Sequence, residues 1–365
     1  PYTTLFRSGS SVGKPYYVIA SGGGDISLNG SANANVTQSD GVRLSYADVL
    51  SSSGAIVITS ASRGIQLQQP STLGYLTGSV VPTSISNITL TSDAMNFATT
   101  SAFNTSGTVT LQPYSNNFAS ALNWPISNLT LASSVSGLTI GKDIGTTAHT
   151  DTLTIGSNTS IAGPINVYAG TINVNANLSS SQTGAQIMLK ASSDITIASG
   201  VDITTQGGKQ VFWADSDASG AGAITSVSTT AKYGLFTTNG GDIIMAGGAG
   251  STLPIGAAYG VQGINLSYAT LNTAAGDITM RGISNSTISY GLGLRYFVGI
   301  TLTGRNITLV GTGSVNTGAN TNNWGVDFEG ASVIGSGTIS ITGTGGGSGS
   351  TGGGNHGVFV YNSTI

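Results

Sequence analysis

One sequence cassette returns four times in the last hundred residues and constrains the fold more than any other feature of the chain. Each copy opens on a glycine followed by an apolar run, at Gly263, Gly293, Gly325 and Gly357. The intervals are 30, 32 and 32 residues, and in the first three copies a second apolar run follows 14 or 15 residues after the glycine. Such a period is typical of repeat architectures, in which each unit buries its apolar face against its neighbours.

The same cassette also occurs near the beginning of the chain. Gly41 opens a run that matches the one at Gly263 almost position for position, and Ile56 follows it by 15 residues. Degenerate copies lie between them, at 87–90, 108–111, 128–131, 151–155, 165–167, 172–174, 187–189, 194–197 and 242–245. The repeat unit therefore spans the chain, and we predict a single β-solenoid repeat region over residues 9–365.

The local pattern within each copy predicts short strands. Apolar and polar residues alternate over three to five positions between Gly, Asn or Asp, as in half-buried strands bounded by turns. Sandwich, propeller and coil architectures all use such strands. Asn-Gly and Asp-Gly hairpin turns are scarce, so successive strands are expected on different faces of a coil. We predict an all-β fold, a right-handed parallel β-helix, with the hand following from the rule for parallel crossovers.

Composition excludes several functional classes. Charged residues make up 7% of the chain and the net charge is −3, so no basic patch is available to bind nucleic acid. There is no cysteine, which excludes disulfides, thiol catalysis and cysteine-ligated zinc. No apolar stretch is long enough for a transmembrane helix. A hydrophobic fraction of 39% with regular Ile, Val and Leu argues against disorder.

Both ends of the sequence indicate a fragment. Residues 1–8, PYTTLFRS, match the translation of a common sequencing adapter, so we interpret them as an artefact and not as part of the fold. The last residues stop within the fourth copy of the cassette. We therefore expect the repeat region to be truncated at both ends.

The units Gly276-Asp-Ile-Thr-Met, Asn306-Ile-Thr-Leu and Gly337-Thr-Ile-Ser-Ile, with the stretch from Ser193 to Gly248, resemble the repeats of large β-helical exoproteins of the filamentous haemagglutinin type. These proteins are exported by two-partner secretion. The resemblance covers most of residues 20–365. It implies a secreted or cell-surface adhesin of a Gram-negative bacterium, with an outer-membrane secretion partner for the full-length protein. The family's Asn-Pro-Asn-Gly secretion motif is not found here.

Candidate contact residues cluster in one departure from the pattern, at 200–225. Trp213 leads into a loop with Asp215 and Asp217, and Lys209 precedes it. These four residues are the candidates for contact with a glycan or a surface. With Asp202 they are also the best candidate group for a polysaccharide-cleaving enzyme, which needs carboxylates on one coil face. The alternative is a solvated loop beside a buried Trp213.

Other polar residues are assigned structural roles. His149 and His356 have no metal-ligand spacing and fit loop or corner positions. Asp25, Asp194, Asp242 and Asp277 each precede an isoleucine at a strand start, where a carboxylate can cap the turn. The Asp-x-Asp-x-Ser-Gly loop lacks the closing acid of a calcium site. We predict no catalytic residue, no metal site and no cofactor.

Three functions follow in order of preference. The first is a non-enzymatic structural and adhesive shaft. For such a shaft we expect Ile278→Asp or Ile339→Asp to disrupt the stacking of the coils, whereas Asp277→Asn should be nearly silent. Its partners would be host or environmental glycans or surfaces. The second is a polysaccharide lyase or glycoside hydrolase on the same fold. The third is an ice- or surface-binding array, which would need a regular threonine ladder that we do not find.

Overall fold

The protein is built of short strands throughout. The computed structural model describes residues 4–8, 16–21, 23–32, 40–75, 86–226, 232–286, 292–315, 322–347 and 354–365, and the side chains of all of these except 4–8, 16–18, 20, 297 and 298. These ranges contain strands and turns but no helix. Consequently none of them supplies a helix that could cross a membrane.

Two compact units divide the chain, Pro1–Lys142 with Ile161–Ile165, and Asp143–Ser160 with Asn166–Ile365. The first unit contains the strands β1 (Thr4–Ser8), β2 (Tyr16–Ala20), β3 (Ile26–Gly30), β4 (Val42–Leu44), β5 (Ala47–Leu50), β6 (Ile56–Ser60), β7 (Ile65–Leu67), β8 (Thr72–Gly74), β9 (Ile88–Thr91), β10 (Met95–Phe97), β11 (Ser101–Asn104), β12 (Thr108–Gln112), β13 (Leu122–Trp124), β14 (Leu129–Leu131) and β15 (Gly137–Ile140).

In the first unit every third strand pairs, so three strands complete one coil. The order β3-β6-β9-β12-β15 forms one parallel sheet, β5-β8-β11-β14 a second and β4-β7-β10 a third. Ile26, Ile56, Ile88, Val109 and Leu138 stand in register along the first sheet, and all five are buried. Successive strands thus lie on different faces, as predicted, and each coil buries its apolar side chains against the next.

The strand within residues 1–8 pairs differently. Thr4–Ser8 runs antiparallel to Tyr16–Ala20, with Thr4 opposite Ala20 and Ser8 opposite Tyr16. The pairing contrasts with the parallel coils that begin at β2. The adapter origin of residues 1–8 stays a prediction.

The second unit contains the remaining strands, with Ile161 and Ile165 at the boundary. They are β16 (Thr152–Ile155), β17 (Thr159–Ile161), β18 (Ile165–Ala169), β19 (Thr171–Val174), β20 (Leu178–Thr183), β21 (Ile187–Ala191), β22 (Ile195–Ile197), β23 (Ile203–Gln206), β24 (Gln210–Ala214), β25 (Ile224–Ser226), β26 (Gly234–Thr237), β27 (Ile243–Gly247), β28 (Ala258–Gly260), β29 (Gln262–Ser267), β30 (Ala269–Asn272), β31 (Ile278–Ser284), β32 (Leu292–Gly304), β33 (Ile307–Thr312), β34 (Val326–Gly335), β35 (Ile339–Thr344) and β36 (Val358–Tyr361).

Three parallel stacks also build the second unit. They run β21-β24-β27-β31-β33-β35, β16-β19-β22-β25-β29-β32 and β20-β23-β26-β30-β32. The last two merge at β32, which pairs with β29 along its first part and with β30 along its second part. Ile278, Ile307 and Ile339 are in register, which confirms the cassette alignment made from the sequence. An all-β parallel β-helix is therefore the fold.

A left-handed backbone position marks the corner within four of the five cassettes. Tyr46 and Tyr268 have φ values of 51° and 49°, and Gly330 and Asn362 have 71° and 47°. Each lies five residues after its opening glycine, between the two halves of the cassette. Only glycine and, less readily, asparagine take this conformation without steric cost, so the tyrosines are held there by the flanking strands.

Asx side chains link one coil to the next. The aspartates that precede strands reach across the coil spacing: Asp25 Oδ1 accepts from the Ala55 N–H (2.7 Å), Asp194 Oδ1 from Ala223 (2.8 Å) and Asp242 Oδ1 from Asp277 (3.0 Å). The sequence predicts that such a residue caps its own turn. The bond instead satisfies the backbone of the equivalent residue one coil later, so these residues stabilise stacking as well as local geometry.

The glycine-rich segments 313–323 and 343–355 precede the same cassette position, and this placement in the sequence predicts excursions from one corner of the coil. Residues 316–321 and 348–353 lie outside the described ranges. The flanking residues do stack, because Ser314 Oγ donates to Asn323 Oδ1 (2.7 Å) and Asn323 Nδ2 donates to Asn355 Oδ1 (3.1 Å). The two segments therefore begin and end at equivalent positions of neighbouring coils.

Candidate binding surface

Trp213, the predicted aromatic contact residue, is a packing residue. Its side chain points outward from β24 but is only 1% exposed. It packs with Met188 and Val211, and Leu253 covers this cluster. The indole Nε1 donates to the Gly248 carbonyl (2.8 Å). This placement agrees with the alternative interpretation of the sequence, in which Trp213 is buried. In this structure the ring presents no face to a glycan.

A buried lysine lies on the same cluster. Lys190 stands opposite Trp213 in the register of β21 and β24, with its Nζ 4.5 Å from the indole centroid. The same Nζ donates to Asp143 Oδ1 at 2.7 Å. Burial, followed by the charge of Asp143, raises the pKa of nearby Tyr168 to about 12. The Lys190 ammonium is thus held between the Trp213 ring and the carboxylate of Asp143, whose side chain is partly exposed.

Asp215 organises its own loop. Its side-chain Oδ1 accepts from the backbone of Gly220 (2.9 Å) and Ala221 (3.2 Å) and from Ser219 Oγ (3.2 Å). Burial raises the pKa of this carboxyl, and the three hydrogen bonds oppose that rise. Asp217 accepts from the Ser219 N–H (3.3 Å). Both carboxylates therefore shape the 215–222 loop.

The remaining predicted site residues lie elsewhere. Lys209 precedes β24 and forms an ion pair with Asp242 (3.3 Å), roughly 13 Å along the strand from Trp213. Asp202 precedes β23 in a different sheet, where it accepts from the Leu235 N–H (3.0 Å). The structure does not bring Asp202, Lys209 and the two loop carboxylates together, so this group offers no paired acid and base.

A row of outward side chains on another face forms a polar ladder. Inward residues Ile195, Ile224, Ile264, Leu294 and Val326 pair in register across β22, β25, β29, β32 and β34. The residue after each of these points outward. The ladder consists of Thr196, Thr225, Asn265, Arg295 and Asp327. Coil stacking brings these residues into one line, although 131 positions separate the first from the last.

The first three rungs form the floor of a groove of about 470 Å³. Its walls include Ala221 and Tyr259, and Asn285 lies at its rim. Gly222 and Tyr259 exchange two backbone hydrogen bonds, of 2.5 and 2.7 Å, which join the walls. Asn285 closes one end by donating from its backbone N–H to the Gly260 carbonyl (2.8 Å) and from Nδ2 to the Gly220 carbonyl (3.1 Å).

The next two rungs carry opposite charges. Arg295 Nε lies 3.8 Å from Asp327 Oδ2, and the Asp327 side chain is 1% exposed. Its Oδ1 has no hydrogen-bond partner in the described structure. Burial, reinforced by the charge of Glu329, raises the pKa of Asp327 to about 7 despite the nearby guanidinium of Arg295. Glu329 is two residues further along β34 and therefore on the same outward face.

Aromatic side chains lie beside this charged pair. Phe359, opposite Asp327 in the next coil, stacks on Trp324 with centroids 4.2 Å apart. His356 lies 5.9 Å from Phe359 and 6.2 Å from Trp324. Phe359 thus places apolar surface beside Asp327, in line with the burial that raises its pKa.

The described ranges hold no group of three or more His, Asp or Glu side chains able to bind a metal ion. His149 lies 3.8 Å from Asp151 through its Nδ1 and is buried. The two histidines are thus placed in separate parts of the second unit.

Comparisons of the chain with protein-family models, with curated proteins and with solved structures give no match. The groove and the charged rungs were not identified from the sequence. The sequence contains one indication of the ladder, which is that each of its residues directly follows the inward residue of a cassette strand. Recognising the row requires the register of five strands.

Proposed function

We propose that this chain is a structural and adhesive segment of a large secreted or cell-surface exoprotein, and that it has no catalytic activity. The observation that supports this proposal is the parallel β-helix, in which fully buried Ile, Val and Leu ladders stack coil on coil. A solenoid of this type presents an extended, rigid surface. The haemagglutinin-type resemblance of the repeats supports the same proposal.

This function places the protein at a bacterial surface. The full-length exoprotein would use an outer-membrane secretion partner, and the proposed binding targets are host or environmental glycans and surfaces. The low charge of the chain, 7% of its residues, favours recognition by hydrogen bonding and shape over long-range electrostatics. No nucleic-acid partner is proposed.

The test is an adhesion measurement with the isolated chain. Fluorescent beads carrying the full chain are allowed to settle on epithelial monolayers and on polysaccharide-coated glass, and the beads retained under flow are counted. Beads carrying an unrelated protein of similar net charge, and beads carrying the heat-denatured chain, are the controls. Retention well above both controls is expected. Retention equal to that of the controls on every surface would contradict the proposal.

A carbohydrate-active enzyme is the second candidate, favoured by one observation. Asp327 and Glu329 share the outward face of β34, and the pKa of Asp327 is raised to about 7, as in a general acid. The 1% exposure of Asp327 opposes it, because an acid must reach its substrate. Release of reducing ends or unsaturated products from polysaccharides, abolished by Asp327→Asn, would establish this candidate over the first.

A further inference from the structure

The groove above β22, β25 and β29 is lined by uncharged hydrogen-bonding side chains together with small apolar residues and one carboxylate. Thr196, Thr225 and Tyr259 contribute hydroxyl groups, and Asn265 and Asn285 contribute amides. Each of these groups both donates and accepts hydrogen bonds. Among the described residues, the ionisable side chains that line the groove are those of Asp194 and Tyr259, and no Lys, Arg or His is among them.

Several of these polar groups are available to a ligand. The hydroxyls of Thr196, Thr225 and Tyr259 make no hydrogen bond to any described residue, whereas the Asn265 Nδ2 is held by Gln262 Oε1. Thr196 is exposed, and Thr225 and Asn265 are half-buried. A ligand laid along the floor would therefore meet one side chain from each coil, at the strand spacing of about 4.8 Å.

We propose that this groove binds a neutral oligosaccharide chain. Sugar hydroxyls both donate and accept, as the lining does, and they recur along a chain as the rungs recur along the coils. The Tyr259 ring adds the amphipathic surface on which the apolar face of a sugar packs. The inference rests on the proposed adhesive function and names its ligand class.

Other ligand classes fit the lining less well. An anionic ligand would find no cation in the groove and would be repelled by Asp194. An apolar ligand would leave the hydroxyls unpaired. A peptide that binds by strand addition needs an open sheet edge, but the floor here is a sheet face whose strands β22, β25 and β29 are already paired with one another.

The groove is built before a ligand arrives. The two backbone bonds between Gly222 and Tyr259 and the two donated by Asn285 fix its walls. Asp215 holds the wall residue Ala221 through its Oδ1 (3.2 Å). This predicted contact residue is thus a positioning residue for the groove. A rigid site loses little conformational freedom on binding, which favours affinity from a modest number of hydrogen bonds.

The experiment begins with an array of neutral animal-type oligosaccharides, neutral plant and microbial oligosaccharides, sialylated and sulfated glycans, and extended peptides, probed with the full chain. Titration calorimetry with the best neutral oligosaccharide then compares the parent with Thr196→Val/Thr225→Val. The matched control is Thr279→Val/Thr308→Val, because those threonines occupy the equivalent outward positions of neighbouring coils on another sheet.

Binding to neutral oligosaccharides is expected, with the groove variant weakened about tenfold or more for the two hydrogen-bonding groups lost and the control unchanged. The array shows whether the ligand is of host or environmental type. Valine keeps the strand propensity and shape of threonine, and unchanged melting temperatures check folding. If a variant does not fold, hydrogen exchange of the parent decides: the ligand must protect residues 220–225 and 258–265.

Three results would overturn the groove assignment: no neutral glycan bound, binding confined to anionic glycans or peptides, or equal affinity of the parent and the groove variant without protection in hydrogen exchange. The bead assay separates this failure from that of the adhesive function. If the beads adhere and neutral oligosaccharides do not inhibit adhesion, the adhesive function is supported but the groove is not the site of adhesion.

Discussion

The buried carboxyl of Asp327 should make the stability of the second unit depend on pH. Its side chain is 1% exposed beside Arg295, and its pKa of about 7 lies about three above that of an ordinary aspartate. Glu329 on the same strand adds to the rise, and Phe359 of the next coil covers the site with apolar surface. The perturbations are the pH itself and the Asp327→Asn substitution.

The sign follows from proton binding. Between pH 4 and 7 the folded state keeps the Asp327 proton that the unfolded chain has released, so raising the pH through this window favours unfolding. The stabilisation that this proton gives to the folded state is fully lost above pH 7. A pKa difference of about three corresponds to about 4 kcal/mol, an upper value for this carboxyl. Asparagine resembles the protonated acid and carries no charge, so the variant should gain stability relative to the parent as the pH rises.

The assay is thermal and urea unfolding of both proteins from pH 4 to pH 8, followed by near-ultraviolet signals of the aromatic cluster around Trp324. The curves should coincide near pH 4 and separate towards pH 8, with the variant more stable. Asp217→Asn is the control, since it removes one carboxylate from a loop position. Parallel pH profiles for the parent and Asp327→Asn would refute the reasoning.

The remaining predictions concern packing and surface contacts. Ile278→Ala should reduce the free energy of unfolding by about 3 to 4 kcal/mol, because the side chain is fully buried between two rungs of its ladder. Ile339→Ala should cost about half as much, since Ile339 is only half-buried on the last strand of that sheet; equal losses in urea unfolding would contradict the register. Trp213→Ala should reduce stability by about 3 to 5 kcal/mol and speed hydrogen exchange in residues 248–257; unchanged exchange there would show that the indole does not anchor that loop. Asp277→Asn should lower the melting temperature less than Asp277→Ala, because asparagine keeps the acceptor for the Asn306 N–H (3.2 Å) and loses only the exposed ion pair to Arg305 (2.9 Å); equal losses in the two variants would show that the ion pair dominates.

The sequence alone was sufficient for the fold and for the alignment of the late cassettes. Alternation with period two places every second side chain inside, and this property is local. Glycine recurs at each opening because other backbone segments approach closely there: a Cβ on Gly325 would lie 2.4 Å from the Thr344 nitrogen and 2.6 Å from the Gly357 carbonyl oxygen of the next coil. Both signals can be read within a few residues, so neither depends on knowing the rest of the chain.

The binding surface could not be read in the same way because coil length is not constant. Leu153, Ile172, Ile195, Ile224 and Ile264 are successive rungs, at intervals of 19, 23, 29 and 40 residues. Loops of variable length leave the coil at its corners and return to the same rung. A fixed period therefore aligns the last coils but not the middle ones, where the groove lies.

The sequence thus determined which residues alternate inward and outward, whereas the tertiary structure decided which outward residues meet. Stacking brought Thr196 beside Thr225 and Asn265, and it joined Asp327 to Arg295. The loop at 248–257 covered Trp213, so a residue that looked available from its sequence became a packing residue. The physical reason is that strand alternation is set by neighbouring residues, while register between coils is set by burial and by backbone hydrogen bonds across intervals of variable length.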